Sequence, residues 1–333
     1  TISIVHPDII QTPILTRLDG PTLAAAACAT SQLHALSIQE KLWQDICSST
    51  WPSVNDPRVR HVISTFPSGY RSFFSDSFPA LDDQQQRQLP SIHPASKLIS
   101  AVDIYYQDRL IFSKVEETET VNSWFMCSPF RVDLLDPKES VSVSTPVQQT
   151  PIHQFNDDTE TLLNNIEDNM TLSWILIDPT QKRAVNLSSR RPVSVERHWL
   201  TGEVQVHFAT IMAGDGRWGS SEEYVECGVV VTCGVKEGGG GMHLSEVSLQ
   251  VEDMEGKSLN GRDSLVILGG AMESGKRRKE KERNEGKERF EEFMDRKMER
   301  KERMVKRERV LDMVCVSIGI VSFVTFWSVV LFR

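Results

Sequence analysis

The chain is 333 residues long and acidic overall, with a formal net charge of −9 and a mean hydropathy of −0.29. That length has room for about two domains, and an acidic balance argues against nucleic-acid binding, which needs a basic face to displace counterions. Six cysteines are scattered without a Cys-x-x-Cys pair or nearby histidines, a pattern that fits a reducing compartment, and Cys227 and Cys233, six apart in an apolar, strand-like run, are expected to be buried thiols and not metal ligands.

Three short helices are expected before residue 52. Ile10, Ile14, Leu15 and Leu18 are spaced to share one helical face. Pro13 inside such a helix would cost about 3 kcal/mol, so the helix is expected to start with Thr12 as cap and Pro13 at its first position. Asp19-Gly20-Pro21 should end that segment. Thr22 to Ala29 is strongly helix-favouring, and Leu42, Trp43, Ile46 and Cys47 form one stripe on a third helix. A stretch this short buries too small a core to stand comfortably alone, which makes a partner surface plausible. Residues 52–97 read as a connector. Its aromatic cluster, Phe66, Tyr70, Phe73, Phe74 and Phe78, is expected to pack the N-terminal helices onto the next domain of the chain.

From Leu98 the apolar period changes to two. Leu98–Tyr106 and Leu110–Val115 read as a hairpin turning at Gln107-Asp108. Further strands are expected at Trp124–Leu135, Leu172–Ile177, Val204–Met212, Val225–Val235, Leu244–Val251 and Ser264–Leu268, with one helix near Thr159–Met170. The fold class is therefore α+β, its middle an antiparallel, sandwich-like β domain over 98–274. Gly270 to Lys276 matches most of a phosphate-binding loop, but Arg277 stands where a hydroxyl must hold magnesium, and no later strand can supply an acidic partner. Eight dispersed histidines assemble no Ser/His/Asp or Cys/His set. No catalytic residue, cofactor site or metal site is expected.

Residues 275–309 are rich in Lys, Arg and Glu, with 16 basic and 10 acidic residues between Lys276 and Arg309. Glu285–Arg289, Glu292–Arg296, Glu299–Arg303 and Glu302–Lys306 place acid before base one turn apart, which favours a long solvated helical stalk. Met313 to Phe332 then gives 20 residues without a charge, about 30 Å of helix and enough to cross a bilayer core. Lysines and arginines crowd the N-terminal side of this run, so the positive-inside bias leaves the bulk of the chain in the cytosol, in tail-anchored topology.

The N-terminal residues also carry a resemblance. His6-Pro7-Asp8-Ile9-Ile10, Ile14-Leu15-x-x-Leu18, Leu33-x-x-Leu36 and Leu42-Trp43 with Ile46-Cys47 together resemble an F-box. Asp56-Pro57-Arg58-Val59, Ser128-Pro129-Phe130-Arg131-Val132 and Gly261 to Leu268 extend the likeness to plant F-box proteins. The resemblance implies a non-catalytic substrate receptor of an SCF-type cullin ubiquitin ligase. An F-box over residues 1–51 would bind a Skp-type adaptor through Pro7, Ile10, Ile14, Leu15, Leu18, Leu33 and Trp43. The β domain would select a protein substrate, and residues 310–333 would hold the chain to a membrane. The competing reading is a membrane-anchored binding module, lectin-like, with no ligase role.

Overall fold

The structure is a computed structural model that describes residues 14–78, 80–82, 95–135, 141–143, 158–214, 224–235, 242–274, 276–278 and 284–332. It divides into two compact units, Thr1–Glu288 and Arg289–Arg333.

Among the described residues, a 3-10 turn and five helices open the first unit. Leu15–Arg17 is a single 3-10 turn, after which Leu18 is already extended. The helix expected to reach Leu18 is thus absent from the described residues, and Pro13 with the residues before it lies outside them. Asp19-Gly20-Pro21 opens a helix where it was expected to end one. Asp19 accepts from Thr22 N at 2.9 Å, and Pro21 sits in the first turn, where its missing N–H costs nothing. Helix α1 is Gly20–Ala27, α2 is Ser31–Ser37 and α3 is Glu40–Thr50. The expected connector folds further: after a 3-10 turn at Pro52–Asn55, α4 covers Pro57–Ile63 and α5 covers Gly69–Ser77. Asp56 caps α4, accepting from Arg58 N at 2.8 Å, with Pro57 at the first position.

The strands come next. A four-stranded antiparallel sheet joins β2 (Lys97–Tyr106), β3 (Arg109–Glu119), β6 (Met170–Asp178) and β7 (Arg183–Asn186) in the order β3-β2-β6-β7. A six-stranded antiparallel sheet runs β4 (Arg131–Asp133), β11 (Met242–Asp253), β10 (Tyr224–Val235), β9 (Val204–Ala213) and β8 (Ser194–Arg197), with β5 (Val141–Val143) also on β11. A short pair joins β1 (Ala80–Asp82) to β12 (Lys276–Arg278). Helices α6 (Ser123–Cys127), α7 (Asp158–Asn169) and α8 (Gly261–Ser274) complete the unit among the described residues.

The strand readings hold at β2, β3, β6, β9, β10 and β11 within one to four residues at each end. Two differ. Ser264–Leu268 lies inside α8, and Trp124–Leu135 begins as α6, capped by Asn122, before β4.

Alternation along the central strands divides their side chains between two cores. Leu98, Val102, Ile104, Leu172, Trp174 and Leu176 face the six-stranded sheet, meeting Phe208, Val229 and Leu249 there, with Ile166 of α7 and Leu268 of α8. Ile99, Ala101, Ile175, Ile177 and Ala184 face the other way, onto Trp43, Trp51, Val54, Val59 and Phe73 of the N-terminal helices. The four-stranded sheet is therefore covered on both faces, and the helices are built onto it.

A last helix, α9 (Glu285–Leu331), runs unbroken through the charged stretch and the apolar run.

Candidate functional site

Two surfaces carry the functional argument: the N-terminal helices and the apolar end of α9. In the first, Trp43 donates its indole N–H to Ser37 O at 2.8 Å, tying α3 to the end of α2. Its ring lies 5.3 Å from that of Phe74 on α5. Thr30 caps α2 by accepting from Leu33 N at 3.1 Å. Glu40 reaches α5 from the start of α3 and accepts from Tyr70 N at 2.9 Å.

Of the residues read from the sequence as adaptor contacts, Pro7 and Ile10 lie outside the described residues. Ile14 is 48% exposed, whereas Leu15 is 1% and Trp43 3% exposed. Leu18 and Leu33 are partly buried against the helical core. Leu15 and Trp43 thus face inward in this structure. Ile38, 43% exposed at the end of α2, is a surface apolar residue that the spacing argument passed over. Its signal was its place just beyond the Leu33-x-x-Leu36 pair.

Polar contacts fasten these helices to the sheet. Asp103 on β2 is wholly buried and accepts from Ser53 N at 3.0 Å, from Ser53 Oγ at 2.6 Å and from Ser113 Oγ at 2.7 Å. Burial pushes its carboxyl above the usual range, against these hydrogen bonds, which favour the ionised form. Asp76 on α5 pairs with Arg183 of β7 at 3.0 Å and accepts from Ala184 N at 3.2 Å. Trp51 donates to Ser173 Oγ at 3.0 Å.

Among the described residues, no cluster of three or more His, Cys, Asp or Glu could hold a metal ion. Cys227 and Cys233 lie buried on β10, and burial pushes the Cys233 thiol up to about 12, far from a reactive thiolate. The phosphate-loop reading meets a geometric obstacle: Gly270 to Ser274 is the end of α8, not a loop following a strand.

The apolar end of α9 is the second surface. Every large apolar side chain from Val310 to Phe332 is at least 46% exposed. The hydroxyls of Ser317, Thr325 and Ser328 donate to carbonyls one turn back, at 2.7, 2.9 and 2.8 Å, and so do not depend on water. By length and composition this helix is apolar enough to cross a membrane.

Comparison with known proteins places the chain. An F-box protein of Arabidopsis thaliana is 47% identical over 344 residues, covering 100% of this chain and 97% of the relative. The chain belongs to the plant F-box protein family. A second Arabidopsis F-box protein is 47% identical over 92% of this chain and 83% of its own length. A third, named a probable F-box protein, is 45% identical over 97% of this chain and 91% of its own length. No family model matches the chain, and no solved structure matches it. For this F-box protein the first match extends the likeness across the strand-rich middle and α9 as well as the N-terminal helices.

Proposed function

We propose that the protein is a substrate-receptor subunit of an SCF-type cullin ubiquitin ligase, tethered to a membrane by residues 313–332. In this reading an F-box within residues 1–51 docks a Skp-type adaptor through Pro7, Ile10, Ile14, Leu18 and Leu33. Leu15 and Trp43 fix the helices beneath. The strand-rich domain over 98–274 selects a protein substrate, and the ligase chemistry resides in the recruited partners. The stalk, residues 275–309, carries the basic residues that orient the apolar helix, with the bulk of the chain on the cytosolic side.

The observation that carries the reading is the near full-length identity to F-box proteins, joined to an exposed Ile14 beside the buried Leu15. Burying one such side chain at an interface contributes about 1.5–3 kcal/mol. Full-length protein in mild detergent should capture a plant Skp-type adaptor, and Ile14→Asp should weaken capture about ten-fold or more with the melting temperature unchanged. Ile14 suits this test better than Leu15, because a charge at Leu15 would enter the core. Failure of the folded wild type to capture any adaptor would favour a membrane-anchored binding module without a ligase role.

A further inference from the structure

The stretch of α9 just before the apolar run has a charge distribution that neither adaptor docking nor substrate selection uses. Residues 296–309 hold eight basic and three acidic side chains, a net charge of +5. Two of those acids are turned along the helix to bases one turn on, Glu299 to Arg303 at 2.9 Å and Glu302 to Lys306 at 3.5 Å. Lys301, Arg307 and Arg309 make no ion pair among the described residues, and every side chain from 301 to 310 is exposed.

Their arrangement is ordered. Arg289, Arg296, Arg300, Arg303 and Arg307 succeed one another at seven, four, three and four residues, the spacing that keeps side chains on one helical face. Glu288, Glu291, Asp295, Glu299 and Glu302 are spaced at three, four, four and three, so they share a second face. After Glu302 that acidic series stops. Lys306 and Arg309 take up its positions, so that Arg303, Lys306, Arg307 and Arg309 cover about half the circumference of the helix before the apolar run, while Glu308 and Asp312 lie on the other side.

The unbroken helix fixes where this basic collar lies. At a rise of about 1.5 Å per residue, Lys306, Arg307 and Arg309 are about 6–11 Å from Met313, which is headgroup depth for a helix spanning the bilayer. A salt-screened field decays over about 8 Å, so these three residues feel the charge of the leaflet while Arg289 and Arg296 do not.

We propose that Lys306, Arg307 and Arg309, with Arg303 above them, form a binding collar for the anionic headgroups of phospholipids in the leaflet next to the stalk. The collar rests on the reading of residues 313–332 as a membrane span. Its partner is lipid phosphate and carboxylate held at the membrane surface, not a soluble anion, because the helix delivers these side chains to that depth. A basic collar of this kind makes occupancy depend on membrane composition, and so selects among membranes that a bare apolar helix would enter alike.

The test uses the full chain reconstituted into phosphatidylcholine vesicles that contain tracer amounts of labelled phosphatidylserine or labelled phosphatidylcholine. The protein is extracted in mild detergent and the retained label is counted. Wild type should retain phosphatidylserine several-fold over phosphatidylcholine at low salt, and lose the preference in high salt. The Lys306→Gln/Arg307→Gln/Arg309→Gln variant should retain both lipids equally while remaining in the vesicles. Equal retention by wild type, in a protein that resists alkaline extraction, overturns the collar and leaves the span intact. Release of wild type by alkali overturns the span itself, and the collar with it. A preference that survives in the triple variant would also overturn the assignment, moving lipid selection elsewhere in the chain.

Discussion

Asp103 is the residue on which the junction of helices and sheet turns. It lies on the face of β2 that meets the N-terminal helices, and its two oxygens take the backbone and hydroxyl of Ser53 together with the hydroxyl of Ser113. Asp103→Ala would leave the buried Ser53 N–H without its acceptor, at a cost of about 1–3 kcal/mol, measurable as a lower melting temperature. The ionisation state adds a pH signature. Burial raises the carboxyl of Asp103 in the folded chain. Well below the ordinary aspartate value of about 3.9, folded and unfolded chains both hold the proton and the group adds no pH-dependent penalty. As pH rises through that value, the unfolded chain ionises first, so stability falls until the raised folded value has been passed. Asp103→Asn cannot ionise. The melting temperature of Asp103→Asn relative to wild type should therefore climb from about pH 3.5 towards neutrality, whatever the constant offset from its altered hydrogen bonds. A difference that stays flat across that range would mean the carboxylate is not disfavoured by burial.

At the scale of elements, the β2–β3 hairpin turns on two residues with positive φ, Gln107 at 51° and Asp108 at 58°. A two-residue turn of this hand matches the twist of the strands but strains side chains bearing a Cβ. Replacing Gln107-Asp108 with Asn-Gly should stabilise the protein by up to about 1 kcal/mol, read as a higher denaturant midpoint with an unchanged slope. The turn was legible from the period-two runs on either side of it, and the same alternation located β9. Where the sequence misled, period was the weak signal. Leu265 to Leu268 is a continuous aliphatic run, which a buried helix and a buried strand both produce. The deciding feature was local: Asn260 accepts from Asp263 N at 2.9 Å and starts α8 as a cap. Asp56-Pro57 gave the same kind of start signal for α4 inside the expected connector. Which of the candidate adaptor residues lie at the surface was only partly legible, because spacing puts Ile14 and Leu15 in one apolar group and cannot say which of two neighbours faces the core.

Across the whole molecule, the decisive relation is that the four-stranded sheet serves two cores at once. Trp51, Val54 and Phe73 pack on one face of β2 and β6, while the six-stranded sheet covers the other, so the N-terminal helices cannot swing free without exposing Ile99, Ile175 and Ile177. A receptor built this way would hold adaptor and substrate surfaces at a fixed separation. Among the described residues, none belonging to either core lies beyond Met272. A chain ending at Arg309 therefore keeps both cores and loses the apolar side chains that α9 leaves exposed between Val310 and Phe332. Burying those side chains in a bilayer, at about 1.5–3 kcal/mol for each large one, is far more than attachment requires. The full chain should sediment with membranes and resist alkaline washing, whereas the chain ending at Arg309 should move to the soluble fraction with its melting temperature unchanged. Sedimentation of the shortened chain with alkali-washed membranes would place the attachment before residue 310 instead. The exposed Trp199 and Leu200, on the turn between β8 and β9, would then be the side chains to change next.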